Sequence, residues 1–247
     1  MASASSNLSV TVLGARTPYP VPGQPCSGYL LRGGHRQVWV DAGSGTLAEL
    51  QRHTTLAEID AILISHLHPD HSADLVAAWN AYANDEALPR PRVLGPAGWA
   101  ARLDGLLGAG AAAQCFHVEE IDDAWEGHLD DLELKVRRVQ HSEPTLGLRA
   151  TRGGRVFFYS ADSGPCPALA ELARSADLAI VEAGAATPQN FHLTPEEAAS
   201  ICREAAVGKF VLTHLAAGLA VDHALSRART AFGGTVHVAE PGRVFKV

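Results

Sequence analysis

The chain has 247 residues, 47% of them hydrophobic, and a formal net charge of −7. That size and apolar content can fill a substantial core. The acidic balance, with no basic run, excludes a protein that grips polyanions over a wide surface, since phosphate-backbone binding draws on clustered Lys and Arg.

From the N-terminus, residues 1–7 are small and polar, without a cationic start or an apolar stretch, and read as a disordered tail of a cytoplasmic protein. Strands are predicted at 8–13, 28–31, 37–40, 61–64, 92–94, 132–139, 146–150, 156–159, 178–181, 210–212 and 235–238, with Gly, Pro and Asp between them. Helical periodicity predicts helices at 73–83, 97–107, 168–175, 195–207 and 223–232. The helix from Pro195 has a defined start: Thr194 can cap it, Pro195 suits its first turn, and Glu197 can close a capping box. No repeat, low-complexity stretch or linker interrupts the pattern, so a single α/β domain is expected over 8–247, with each half contributing one sheet. No segment reaches the length of a membrane span. Cys26, Cys115, Cys166 and Cys202 are scattered, with no Cys-x-x-Cys pair, and read as reduced thiols.

The stretch Ser65-His66-Leu67-His68-Pro69-Asp70-His71 follows the strand predicted at 61–64 and packs three imidazoles and a carboxylate into six residues. Metal binding explains that density better than a histidine-rich surface loop does, and strand ends are where α/β proteins build sites. One loop supplies at most four ligands, so a dinuclear centre must recruit others. His141, Asp162 and His214 are each the first strong ligand type after a predicted strand.

This order of residues, His66-x-His68-x-Asp70-His71 followed by His141, Asp162 and His214, resembles the metallo-β-lactamase superfamily from Leu8 to about Val247. The resemblance implies an αββα sandwich of two mixed β-sheets flanked by helices. It also implies two divalent metal ions, the first held by His66, His68 and His141 and the second by Asp70, His71 and His214, with Asp162 bridging. In Val40-Asp41-Ala42-Gly43, Asp41 would buttress the metal loop. Imidazole and carboxylate ligands without thiolate suit zinc first, with manganese or iron as alternatives.

Within the superfamily, Tyr159-Ser160-Ala161-Asp162-Ser163, Glu182-Ala183-Gly184 and the run from Phe191 to Ala198 resemble the phosphodiesterase branch that contains tRNase Z. Leu13-Gly14, Cys26-Ser27-Gly28-Tyr29-Leu30-Leu31, Gly147-Leu148-Arg149 and His192-Leu193-Thr194 are similar to its actinobacterial cyclic-nucleotide phosphodiesterases. The expected catalytic residues are Asp70, also a ligand, with His192 and Glu182. The resemblance thus implies a hydrolase that cleaves a small cyclic nucleotide or similar phosphodiester by attack of a hydroxide shared between the metals, with His192, oriented by Glu182, protonating the leaving alkoxide. A thioesterase or lactonase on the same centre is the alternative, because fold does not fix function. The tRNA-processing members carry a long arm between the positions of His141 and Asp162, which here lie only 21 positions apart, so tRNA 3′ processing ranks lower, as does a non-catalytic metal-binding protein. The expected partner is a small-molecule substrate, with no membrane and no extended nucleic acid, and a homodimer is left open. His35, His53, His117, His128, His223 and His237 lack a patterned partner and read as exposed or locally bonded. Cys166 reads as an inert buried thiol, and Tyr19 either lines the pocket or stiffens a turn.

Overall fold

The computed structural model describes residues 7–247, so all of the expected tail except Asn7 lies outside the described residues. The first sheet takes six strands from the first half of the chain. They are β1 (Leu8–Gly14), β2 (Gly28–Gly33), β3 (Arg36–Val40), β4 (Ala61–Leu63), β5 (Arg92–Gly95) and β6 (His117–Glu120). The second sheet holds β7 (Glu126–Leu129), β8 (Leu132–Val139), β9 (Thr145–Arg152), β10 (Arg155–Tyr159), β11 (Leu178–Ala183), β12 (Lys209–Leu215) and β13 (Val236–Val238). The last strand, β14 (Val244–Lys246), leaves the second half and pairs antiparallel with β1, which corrects the expectation of one sheet per half.

Both sheets are mixed for one reason. Strands joined by short turns run antiparallel, as in β2–β3 and β7–β10, and β1 pairs antiparallel with β2 across a longer loop, whereas β3–β6 and β10–β13 run parallel. Parallel neighbours need longer crossovers, and helices fill them here: α1 (Thr46–Leu50), α2 (Pro69–Ser72), α3 (Asp74–Asn84), α4 (Trp99–Leu107), α5 (Ala111–Cys115), α6 (Pro167–Ala173), α7 (Pro195–Glu204) and α8 (Val221–Phe232).

Period-two alternation sorts the strand side chains into layers. Tyr29 and Leu31 from one sheet meet Leu148, Phe157 and Tyr159 from the other in the central core. Their neighbours face outward: Leu30, Trp39 and Ile62 pack with Leu75, Tyr82 and Trp99 of α3 and α4, while Phe158, Ala179 and Phe210 pack with Leu169, Ala198 and Ala224 of α6–α8. The result is the αββα sandwich.

The strands the periodicity missed, β6, β7 and β14, are short and mostly exposed, so no alternation marked them. The capping box of α7 forms as expected, with Glu197 N–H donating to Thr194 Oγ1 at 3.2 Å and Thr194 N–H donating to Glu197 Oε2 at 2.8 Å. That helix ends at Glu204 rather than at 207, and Ala206 turns left-handed at φ 57°. The strand ends converge at one edge of the sandwich, where parallel sheets place their sites.

Candidate metal centre

Asp41 leaves β3 in the left-handed region, at φ 56°, and is wholly buried. Its carboxylate accepts four hydrogen bonds: Ser65 N–H to Oδ1 at 2.7 Å, and Ser65 Oγ–H, Tyr159 O–H and His71 Nδ1–H to Oδ2 at 2.9, 2.8 and 2.7 Å. A single side chain thus ties the loop after β4 to the end of β10. Next to it, a Cβ on Gly43 would collide with the carbonyl oxygens of Ser27 and Asp70, so only glycine lets the backbone pass.

The second sheet presents its groups through similar distortions. Ala161, before Asp162, sits at φ 52°, and His214 at φ 49°. His214 was expected after its strand but lies inside β12, as the extra residue of a bulge between the Glu182–Thr213 and Ala183–Leu215 pairs. A bulge re-aims a side chain, and non-glycine residues in this conformation cost about 1–2 kcal/mol each. Strain of this kind gathers where a fold positions functional groups.

Hydrogen-bond partners assign the imidazole tautomers. Ser65 Oγ uses its one hydrogen on Asp41, so His66 Nδ1–H donates to Ser65 Oγ at 3.0 Å. His141 Nδ1–H donates to the Phe191 carbonyl at 2.9 Å, and His68 Nε2–H donates to Glu143 Oε1 at 2.8 Å. The remaining nitrogens face one another: His66 Nε2 and His141 Nε2 stand 3.1 and 3.2 Å from His68 Nδ1. Three lone pairs converging this closely repel unless a cation lies among them.

Donor atoms of His66, His68, His141 and Asp162 all lie within 4.8 Å of one another, as do those of Asp70, His71 and His214, and those of Asp162, His192 and His214. Asp162 stands between the groups. Its Oδ1 is 3.3 Å from His71 Nε2, and its Oδ2 is 3.1 Å from His214 Nε2 and 3.8 Å from His66 Nε2. Asp70 Oδ2 lies 3.4 Å from His214 Nε2 and accepts Thr17 Oγ1–H at 3.0 Å. His71 Nε2 and Asp162 Oδ1 are buried without a hydrogen-bond partner. Orphaned ligand atoms and opposed lone pairs are what a divalent cation would satisfy, so the residues present fit one.

The electrostatics agree. Burial, then the charge of His71, holds His66 well below the ordinary imidazole value, leaving it neutral and able to coordinate. Burial opposes charge on Asp162, but His214 and His71 outweigh it and hold the carboxyl well below the usual carboxylate range. Burial likewise opposes charge on His71, yet Asp162 and Asp41 lift it well above the ordinary value. Carboxylates therefore draw positive charge into this pocket.

At the rim, His192 Nδ1 lies 3.0 Å from Glu182 Oε1. Glu182 is fully buried and also accepts the N–H groups of Ser163, at 2.9 Å, and Gly184. A Cβ on Gly184 would meet His192 Nδ1 at 2.8 Å, so glycine is what allows the ring to lie against the carboxylate. The His192 ring stacks on His214 with centroids 5.5 Å apart.

All nine residues expected at the site are thus brought together. Sequence reasoning missed Thr17, Glu143 and Tyr159. Glu143 had a faint signal, a carboxylate two residues after His141, whereas Tyr159 stood in a motif resemblance with nothing to mark its hydrogen bond to Asp41. The six histidines set aside stay outside the cluster: His53 pairs with Glu49 and His237 with Arg243, while His35, His117, His128 and His223 are exposed. Tyr19 is 60% exposed. Cys166 is only partly buried, with its Sγ 3.6 Å from Ser163 Oγ, because it opens α6 at the surface instead of sitting in the core.

Comparison with known proteins places this architecture. Residues 36–215 match the beta-lactamase superfamily domain. An uncharacterized protein of Mycobacterium tuberculosis is 32% identical over 98% of this chain and 93% of its own length. Ribonuclease Z of Mycobacterium marinum is 29% identical over 94% of this chain and 95% of its own. The crystal structure of the metallo-beta-lactamase fold protein YhfI from Bacillus subtilis superposes with a TM-score of 0.88 at 25% identity, covering 98% of this chain and all of that one.

Proposed function

This chain belongs to the beta-lactamase superfamily, and from that premise we propose that it is a metal-dependent phosphodiesterase acting on a small cyclic nucleotide or similar diester. The observation that carries the reading is the Glu182–His192 pair set beside Asp162 and His214. An acyl thioester, which expels a weakly basic thiolate, has less need of a dedicated proton donor there than an alkoxide leaving from phosphorus. Similarity to ribonuclease Z, by name an enzyme of a phosphodiester-linked polymer, supports it. Between His141 and Asp162 the chain forms only β9, β10 and the turn between them, with no arm for a large RNA, which favours a small substrate.

Two divalent ions held by His66, His68 and His141 and by Asp70, His71 and His214, with Asp162 shared, would polarise the phosphoryl oxygens and lower the pKa of water; zinc suits these ligands first, then manganese or iron. The protein contributes the rest. Burial opposes protonation of His192, but its hydrogen bond to Glu182 and the charges of Glu182, Asp162 and Asp70 outweigh it and raise the imidazole above its ordinary value. Burial also pushes the Glu182 carboxyl up, so the pair holds its proton more firmly than free imidazole does. That proton passes from His192 to the leaving oxygen, while the Ser163 and Gly184 N–H groups keep Glu182 in place.

The test is a panel of a cyclic mononucleotide, a chromogenic phosphodiester, an acyl thioester and a lactone, each with zinc or manganese. Turnover of the first two is expected. Turnover confined to the last two would replace the phosphodiesterase with a thioesterase or lactonase.

A further inference from the structure

A cavity of about 230 Å³ opens beside His214, along the ends of β12 and β13. Leu215, Leu219 and Val238 line one wall, and Arg16 reaches it from the loop after β1. The backbone N–H groups of Ala15 and Arg16 both donate to the Pro25 carbonyl, at 3.2 and 3.0 Å, and the next residue, Thr17, bonds Asp70. Arg16 is therefore held in register with the metal cluster.

Its side chain makes no hydrogen bond or ion pair with any described residue, and its Nε is shut off from solvent with no partner. Taking a guanidinium partly out of water without compensation is costly. The one acidic residue lining the same cavity, Glu240, lies 3.7 Å from Arg243, which offsets its charge. An unspent cation thus faces a space that adjoins His214 and has apolar walls.

We propose that Arg16 is a specificity-determining residue that binds a phosphate oxyanion of the substrate in this cavity, while the apolar wall takes the attached sugar or ring. The inference rests on the phosphodiesterase reading and names the substrate class more closely: a nucleotide whose phosphate oxygen projects past His214 toward β13. A guanidinium suits this role through its planar fork of N–H donors. The oxyanion belongs either to the scissile phosphate or to a second, terminal one.

The experiment compares wild type, Arg16→Gln and Arg16→Lys, all metal-loaded, on adenosine 2′,3′-cyclic phosphate with and without a 5′-phosphate. Arg16→Gln is expected to raise KM about tenfold, with kcat little changed where the oxyanion is the terminal one and lowered as well where it is the scissile one, whose charge grows in the transition state, and Arg16→Lys to recover part of the loss. A rise on both substrates identifies the scissile phosphate; a rise only on the 5′-phosphorylated one identifies the second. Unchanged KM on both overturns the proposal. Thermal unfolding separates a structural role: Arg16→Gln should leave Tm unchanged or raise it, since an uncompensated charge is removed, whereas a fall in Tm together with unchanged KM marks Arg16 as a mere packing residue. Should wild type cleave neither diester, the functional reading fails. Arg16 is then judged by calorimetric binding of adenosine 5′-monophosphate, where about tenfold weaker binding by Arg16→Gln supports the anion site and equal binding refutes it.

Discussion

The deep end of the metal centre and its rim are held by different means. At the deep end, His66 and His71 are wholly buried, and Asp41 binds them through a network that also takes in Ser65 and Tyr159. At the rim, His68, His141 and His192 are half-buried, and each leans on a single acceptor: Glu143, the Phe191 carbonyl and Glu182, of which Glu182 alone is itself fully buried. Removing one member of a buried network strands all its partners, whereas a single exposed contact can go while the fold stays. The deep end couples the site to stability, and the rim leaves room to tune reactivity.

Asp41→Ala should break this contrast most forcefully. It would leave two Ser65 donors, the Tyr159 hydroxyl and His71 Nδ1–H buried without an acceptor, and we expect a loss of roughly 3–5 kcal/mol, read from urea unfolding. A loss below about 1 kcal/mol would mean the deep end is no more integral than the rim.

His192→Ala comes next. Turnover should fall by about 10²–10⁴, while elemental analysis finds the metal content and unfolding finds the stability of wild type. Metal loss in this variant would move His192 into the ligand set.

Glu182→Gln sharpens the same point through pH. A proton donor must be protonated, so activity falls as pH rises past the His192 pKa, and against burial that pKa is lifted by the hydrogen bond to Glu182 and then by the charges of Glu182, Asp162 and Asp70. The basic limb of the kcat profile should therefore move to lower pH in the variant. A limb that stays in place would detach His192 from that limb.

The smallest effect is expected at Glu143, whose side chain is 27% exposed. Glu143→Ala frees His68 to choose its tautomer, which should weaken metal affinity about tenfold in competition with a chelator. Unfolding free energy should stay within about 0.5 kcal/mol of wild type.

Much of this site was readable in advance because several of its residues follow a local rule, lying at or shortly past the carboxyl end of a strand, as His66, His141, Asp162 and His214 do, and because their order along the chain is that of a superfamily. The apolar runs around Tyr29, Leu31 and Phe157 marked strands of an α/β domain, since a sheet packed on both faces leaves such runs, whereas the sandwich itself was implied by the superfamily resemblance. Thr17 was silent. A threonine in a proline-rich loop has no pattern that points 53 residues ahead to Asp70.

Periodicity, capping signals and the types of ligand residue are local properties, so they were settled along the chain: the start of α7, the metal-binding residue types and the buried strands, though not the short, mostly exposed β6, β7 and β14. The return of β14 to β1, the bulge that turns His214 inward, the convergence of lone pairs on His68 Nδ1 and the exposure of Arg16 to the cavity beside His214 belong to folding. Each depends on segments far apart in sequence meeting at one edge, where pairing register and close packing, not local preference, set which atoms face each other.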